Sequence, residues 1–508
     1  MKETVILDGK SLTRQELEAV VYAGARVEIQ EEALIRAQEA RKTVLFLTDS
    51  QKQIYGMNTG LGANKDRRIT QEEFEKFNRQ ILYSHSVAIL PLADQAWVRA
   101  AMLCRLNSFL IGTAGVQTEM ILLLKEFLNQ EITPLVPARG SVGLADLGNM
   151  AFLGLAMIGE GEVEYQGQKL KAQEALKKAG LKKLTLGPKD GLPMVSSNMF
   201  SVGKAALLCG KIRDLIEMSE TVYAMGLEAQ SYNPVFIDQR TLKITSHRGH
   251  RESLAFVNQC LEGSSIYHNG NETLYGALSF KSTCGVMGSI RDGLHYLESV
   301  VDGYLNASED CPAVLAEERE IVSTDFFIVT GLAAALEMMD ILLCHMAGLT
   351  ANRIMRMCKE EFSGLPRFLR PEPSVIGYGT MQKTVAAVYN EIRHLANPAS
   401  MDYFPTANES EDYGCMTPYL LLKTEKMLEN LYTLTAMEAM YAAQASECQE
   451  GLVRGKGTLY AYQKIREATK RIQQDDQILG FEIEKVSSLI REKKIIADEG
   501  EHDKKGSI

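Results

Sequence analysis

The sequence predicts a mainly α-helical protein: a large, elongated bundle of long helices with a smaller, loop-rich N-terminal part. Apolar residues recur at helical spacing over long segments, several of more than 20 residues, which suits a bundle. Leu, Ala, Met and Glu abound while Trp occurs once, a mix that favours helix. With 40 Gly and 13 Pro in 508 residues, 45% apolar and 24% charged, the composition is that of an ordinary globular chain, neither fibrous nor disordered.

In chain order, EEALIRAQEARKTVLFL at 31–47 reads as an amphipathic helix. Tyr55-Gly-Met-Asn-Thr-Gly-Leu-Gly62 follows. Three glycines in eight residues are costly in a helix, so this is a loop in which Asn58 and Thr59 can bond locally. Helical spacing resumes at 71–84, 97–110 and 117–128, and Pro134 and Pro137 end the run. Arg139-Gly-Ser-Val-Gly143 makes a second loop before a helix at 147–159, where the Asp146 carboxylate is placed to cap free N–H groups. Residues 163–170 suit a hairpin strand. Beyond Pro193 come the long helices, at 199–224, 284–307, 330–357, 382–395 and 417–447. A division into 1–198 and 199–508 separates the loop-rich part from the bundle and oligomerisation part. With no repeat, low-complexity tract or linker, the two are expected to form one continuous structural unit.

Several functions are disfavoured by the same residues. A formal charge of −10 argues against a nucleic-acid partner. The start MKETVILDGKSL has no apolar core of signal-peptide length, so the cytoplasm is expected. The apolar stretch at 331–349 contains Glu337 and Asp340 and reads as a buried helix, not a membrane span. Nine scattered cysteines without a C-x-x-C pair fit a reducing compartment, and no disulfide framework. The eight histidines show no zinc spacing; His247 and His250 flank Arg248 in what reads as a solvent-facing loop, so no metal is expected. Gly56, Gly60 and Gly62 follow no convincing strand, and no Gly-Lys-Ser/Thr occurs, which disfavours nucleotide chemistry. What remains is a set of polar loops on a helical scaffold, at 55–62, 84–86, 140–146, 196–198, 323–327 and 408–413. Such loops are where a small-molecule site would sit. Tyr55, His85 and Glu411 could handle protons there if the fold brings them together.

These loops resemble the histidine and phenylalanine ammonia-lyase family. The matches run in order along nearly the whole chain: Tyr55-Gly-Met-Asn-Thr-Gly-Leu-Gly62, Ser84-His85, Val136-Pro-Ala-Arg-Gly-Ser-Val-Gly143, Ile158-Gly-Glu-Gly161, Pro188-Lys-Asp-Gly-Leu192, Cys284-Gly-Val-Met-Gly288, Asn306-Ala-Ser-Glu-Asp-Cys-Pro312 and Ser410-Glu-Asp-Tyr413. The resemblance implies a helical homotetramer with composite active sites. It also implies a methylidene-imidazolone electrophile, built from an internal Ala-Ser-Gly, that expels ammonia from aromatic amino acids.

This chain departs from that pattern where the ring would form. The segment reads Gly143-Leu-Ala-Asp-Leu-Gly148, one residue short and without a serine to dehydrate. Ala145 has no leaving group, and the side chain of Asp146 opposes cyclisation beside Leu144. Ser141 matches the loop serine that precedes the tripeptide, and Val142 follows it instead of Gly. No cofactor is therefore expected. The substrate-binding positions are altered too: Ser196 stands for an Asn, with Asn198 as a stand-in. Tyr275 replaces a Gln, Leu278-Ser-Phe-Lys281 replaces Tyr-Ser-Leu-Arg, and Phe326 is followed by Phe327 where the family has His. By resemblance Tyr55 is the base, with His85 and Glu411 orienting or relaying, and Lys281 would bind a substrate anion. The reading is a ring-free lyase or isomerase-like enzyme acting on a small anionic, amino-acid-derived substrate. Its rivals are a non-catalytic binding or partner protein on the same fold and a conventional aromatic amino acid ammonia-lyase.

Overall fold

The computed structural model describes residues 3–48, 54, 57–60, 68–271, 276–371 and 376–497. Two compact units share the chain, and neither is contiguous. One takes Met1–Leu208, Leu297–Leu336 and Pro398–Leu422; the other takes Cys209–Tyr296, Glu337–Asn397 and Lys423–Ile508. The four longest helices, Met199–Ala229, Thr283–Leu305, Thr330–Met357 and Thr417–Ser446, each contribute residues to both.

In the first unit, Thr4–Leu7 pairs parallel with Arg26–Ile29, joined through the helix Arg14–Tyr22. That helix starts on a reciprocal cap, the Thr13 hydroxyl taking the Glu16 amide and the Glu16 carboxylate taking the Thr13 amide at 2.9 Å. These strands are absent from the sequence reading, because four-residue segments give too short an alternation to register. The helix Gln95–Phe109 is buried on nearly every side, including Arg99, Arg105 and Asn107. Most of its polar groups find partners inside the protein, although Arg105 Nε has none among the described residues. Arg105 reaches Glu309 at 2.9 Å and Asp310 at 3.0 Å, and Asn107 holds the Gly9 amide and the Leu305 carbonyl. The expected hairpin is present as Glu162–Tyr165 and Gln168–Lys171.

In the second unit the helices carry buried ion pairs that apolar periodicity does not reveal. Arg353 clamps Glu438 and reaches the Thr283 hydroxyl; Arg291 pairs with Glu220. Lys423 holds Glu337 at 2.7 Å and Asp340 at 3.2 Å, and Thr424 donates to Asp340 at 2.7 Å. Thr330–Met357 has the length and apolarity of a membrane span, yet more than half of its most apolar stretch is buried in the protein. Its two acids are neutralised there, as a core helix requires.

Most helix limits fall within a few residues of the expected ones, and the first long helix runs on to Ala229. One expectation is overturned: His247 and His250 do not sit in a loop. His247 caps the helix Arg248–Cys260, and His250 lies in its first turn. The buried Gly249 between them admits no Cβ, since one would press on the Gly288 backbone. This close approach is a tertiary feature that local polarity masks.

Candidate active site

Tyr55 and Tyr275 lie outside the described residues. The backbone flanking Tyr55 is nonetheless pinned: Asn58 Oδ1 accepts from the Ile54 amide at 2.7 Å, and the Asn58 carbonyl accepts from the Ile69 amide at 2.9 Å. The Asn58 and Thr59 side chains thus bond locally, as their place in a glycine-rich turn suggested.

The loop with Leu144, Ala145 and Asp146 lies at the centre of the first unit's motifs. Ala145 is left-handed at φ 52°. Leu144 bridges to Ile328, Met416 donates its amide to the Val142 carbonyl, and Cys415 Sγ lies 3.4 Å from the Gly143 carbonyl. Gly143 itself, at φ 79°, leaves no room for a Cβ, which would fall 2.6 Å from Thr417 Oγ1. The segments around Val142, Phe326 and Glu411 are far apart in sequence and are joined here.

Asp146 does not cap the helix that follows it, Leu147–Met157, contrary to expectation. Its carboxylate turns to the start of Met199–Ala229 instead, taking the Ser201 amide at 2.8 Å and the Ser201 hydroxyl at 3.2 Å, with Ser141 Oγ at 3.1 Å. The backbone of Asp146 points the same way, its amide donating to the Ser197 carbonyl at 2.7 Å. The free N–H groups in the first turn of Met199–Ala229 give the carboxylate a favourable partner. Burial pushes the Asp146 carboxyl up to about 6, against the hydrogen bonds from Ser201 and Ser141.

A second carboxylate meets the same helix end. Glu309 accepts from the Asn198 amide and from Ser197 Oγ, each at 2.6 Å, while pairing with Arg105. Burial pushes its carboxyl up to about 7, opposed first by the Arg105 charge. Beside it opens a cleft of about 350 Å³, bordered by Asn198, Ser308, Glu309 and Asp325, by Tyr304 and Phe326, and by apolar groups. Asn198 is 1% exposed, and neither its Oδ1 nor its Nδ2 has a hydrogen-bond partner among the described residues. A buried carboxamide left unpaired at a cleft wall is a group waiting for a ligand.

The other expected residues fall as follows. Ser196 is buried one turn before the helix start, and Phe327 is half-buried beside Phe326; neither borders the cleft. His85 ends the helix Phe74–His85, with Nδ1 2.8 Å from the Ile81 carbonyl. With Nδ1–H donating to that carbonyl, Nε2 is the nitrogen that carries no hydrogen bond among the described residues. The His85 carbonyl lies against Gly148, at the base of the Asp146 loop. Glu411 is exposed, its Oε2 taking the Thr406 hydroxyl at 3.1 Å in a turn that includes left-handed Ala407, Asn408 and Glu409. Leu278 and Lys281 form a short helix of the second unit, Lys281 Nζ standing 5.3 Å over the Phe236 ring. Tyr304, Ser308, Glu309 and Asp325 were missed as site residues. Ser308 and Glu309 sit inside a motif that marks the resemblance and Asp325 in a stretch that departs from it, whereas Tyr304 has no local signal. Among the described residues no cluster of His, Cys, Asp or Glu could hold a metal ion.

Known proteins resemble this chain in sequence and fold. A sequence model described as "Aromatic amino acid lyase" matches residues 12–467. A histidine ammonia-lyase from Koribacter versatilis is 32% identical over 511 residues, covering 97% of this chain and 98% of its own. One from Alkaliphilus oremlandii is 29% identical over 489 residues, 96% of each chain. Among solved structures, the ergothioneine-degrading enzyme ergothionase from Treponema denticola, in complex with desmethyl-ergothioneine sulfonic acid, is 32% identical with a TM-score of 0.95, covering 98% of this chain and 100% of that one. A tyrosine aminomutase from Streptomyces globisporus, at 23% identity and a TM-score of 0.90, shares the fold, covering 97% and 98%. With a family match across most of its length and full-length relatives at this identity, the chain belongs to the aromatic amino acid lyase family.

Proposed function

We propose that this protein is a ring-free lyase that eliminates a tertiary amine from an imidazole-bearing betaine of the ergothioneine type. The observation that carries this is the loop at 144–146. Ring closure needs a leaving group on the central residue and a free amide nitrogen after it. Ala145 has no hydroxyl to lose, and the Asp146 amide is committed to Ser197. The residues present do not fit a methylidene-imidazolone, so no step is routed through one. The likeness to ergothionase supports the substrate class.

In this scheme Tyr55, as phenolate, takes a proton from the substrate Cβ. The C–H electrons become the Cα–Cβ double bond, the Cα–N bond breaks, and trimethylamine leaves with the bonding pair, neutral. His85 and Glu411 position the imidazole end, and Lys281 holds an anionic group, with the composite sites completed in a homotetramer. The test is release of trimethylamine and an absorbing α,β-unsaturated acid from ergothioneine, run beside histidine, phenylalanine and tyrosine. Tyr55→Phe should lower the rate on the ~10²–10⁴-fold scale of a lost general base. Ammonia from the ordinary amino acids would establish the conventional reaction instead, and an unaltered rate with Phe at 55 would remove Tyr55 from the scheme.

A further inference from the structure

Most of the cleft beside Asn198 offers a ligand no hydrogen bonds. Met199, Val202, Ala307, Ile328 and Val329 give apolar walls, and the rings of Tyr304 and Phe326 border the same space. Its polar groups are largely engaged. Ser308 Oγ lies 2.7 Å from Thr113 Oγ1, and Glu309 is held by Arg105, Ser197 and the Asn198 amide. Two stand apart: the unpaired, fully buried carboxamide of Asn198, and Asp325, exposed beside the half-exposed Phe326.

We infer that this cleft is the subsite for the departing nitrogen and selects a fully methylated ammonium over a primary one, Tyr304, Phe326 and Asp325 holding the cation while Asn198 Nδ2 donates to the adjoining carboxylate. This rests on the elimination reading above. A primary ammonium brings three N–H donors into a space where, among the described residues, Asn198 Oδ1 is the buried side-chain acceptor left without a partner, so donors turned to the apolar walls would be stripped of water without replacement. A quaternary ammonium has no N–H to satisfy, buries its methyl groups against the apolar walls, and is attracted by aromatic rings. The negative charge of Asp325 compensates the cation without requiring a directed bond. In an α-betaine the carboxylate and the nitrogen share one carbon, so a carboxamide on the same wall can reach the carboxylate.

The experiment is calorimetric titration of full-length protein carrying Tyr55→Phe, to suppress turnover, with ergothioneine, its dimethylamino analogue and 2-thiohistidine. The trimethyl ligand should bind at least about tenfold more tightly than the primary amine. Adding Phe326→Leu should weaken the trimethyl ligand about 2- to 30-fold, the range of a cation–ring contact, and leave the primary amine within about twofold. Asp325→Asn should act in the same direction. Equal or absent effects of Phe326→Leu and Asp325→Asn on all three ligands would overturn the subsite, while trimethylamine release would still uphold the elimination. If none of the three binds or reacts, the elimination reading falls, and thermal shift with tetramethylammonium chloride against ammonium chloride decides the subsite. A Phe326-dependent stabilisation by the quaternary ion alone upholds it; its absence overturns it.

Discussion

Replacing Asp146 by Asn keeps the shape of the loop and removes one buried charge. In the wild type, one carboxylate oxygen takes the Ser201 amide and the other faces the Ser201 and Ser141 hydroxyls. An Asn can keep its carbonyl on the amide, which cannot turn, and donate its NH₂ to the hydroxyls, which can. The lost property is titration. Burial holds the Asp146 carboxyl at about 6 against an ordinary 3.8, so the fold binds this proton more tightly than the unfolded chain does. The stability that goes with the proton is fully present below about pH 4 and is lost as pH rises through about 6, a change of about 3 kcal/mol. The Asp146→Asn variant has no such loss over that span. The difference in stability between Asp146→Asn and wild type should therefore move in the variant's favour by about 3 kcal/mol between pH 4 and pH 7.5. Glu309 titrates in both proteins and drops out of the comparison. Urea midpoints measured for the pair at four pH values give the difference directly. Parallel curves, or a variant that loses ground as pH rises, would refute the account of a carboxylate kept at the helix start against its desolvation cost.

Intact mass spectrometry of the pure chain should match the encoded sequence, allowing for removal of the initiator Met; a deficit of two waters would reveal a closed ring and end the ring-free proposal. Light scattering at micromolar concentration should give a tetramer, because apolar side chains such as Ile89, Leu90 and Leu92 lie exposed on one short strand; a monomeric mass would show that the sites are not composite.

What was legible in the sequence follows the range of the interactions involved. Helices announce themselves over 15 to 30 residues of apolar spacing, and the hairpin at 162–171 announces itself through its turn. Polar groups satisfied across the fold do not. Arg105 looks like one charge in an apolar helix, and only the fold shows it neutralised by Glu309 and Asp310. Asp146 shows the same limit at closer range. Its place ahead of a helix suggested a cap for Leu147–Met157, yet its carboxylate makes no bond there and takes an amide at the start of a helix more than fifty residues later. Motif order did identify the lyase family, and the lack of a serine at 144–146, on which the ring-free proposal rests, is a local fact of the sequence. The lining of the cleft was half visible: Asn198 and Phe326 come from the motifs, while Tyr304 reaches the cleft from the end of the Thr283–Leu305 helix, where nothing nearby distinguishes it from a core residue.

The ring-free proposal and the proposed role of the cleft are connected by acid–base chemistry. An α-ammonium is a stronger acid than a phenol, which titrates near ~10, so a phenolate facing a primary amino acid takes an N–H proton long before the far less acidic Cβ–H. The amine is then neutral and cannot leave. A quaternary ammonium has no N–H to give, which leaves the C–H as the proton in reach and keeps the leaving group cationic until the bond breaks. In the proposed scheme a site without an electrophile depends on the methyl groups twice, once for binding beside Tyr304 and Phe326 and once for proton transfer to Tyr55. It follows that 2-thiohistidine, which differs from ergothioneine by three methyl groups, should bind weakly to the wild-type enzyme, compete with ergothioneine, and release no ammonia even at saturation. Following both ammonia and the absorbance of the unsaturated acid over many enzyme equivalents tests this. Turnover of the primary amine at a rate comparable to the betaine would mean that the protein supplies leaving-group assistance of its own, and the argument from the missing serine would fail with it.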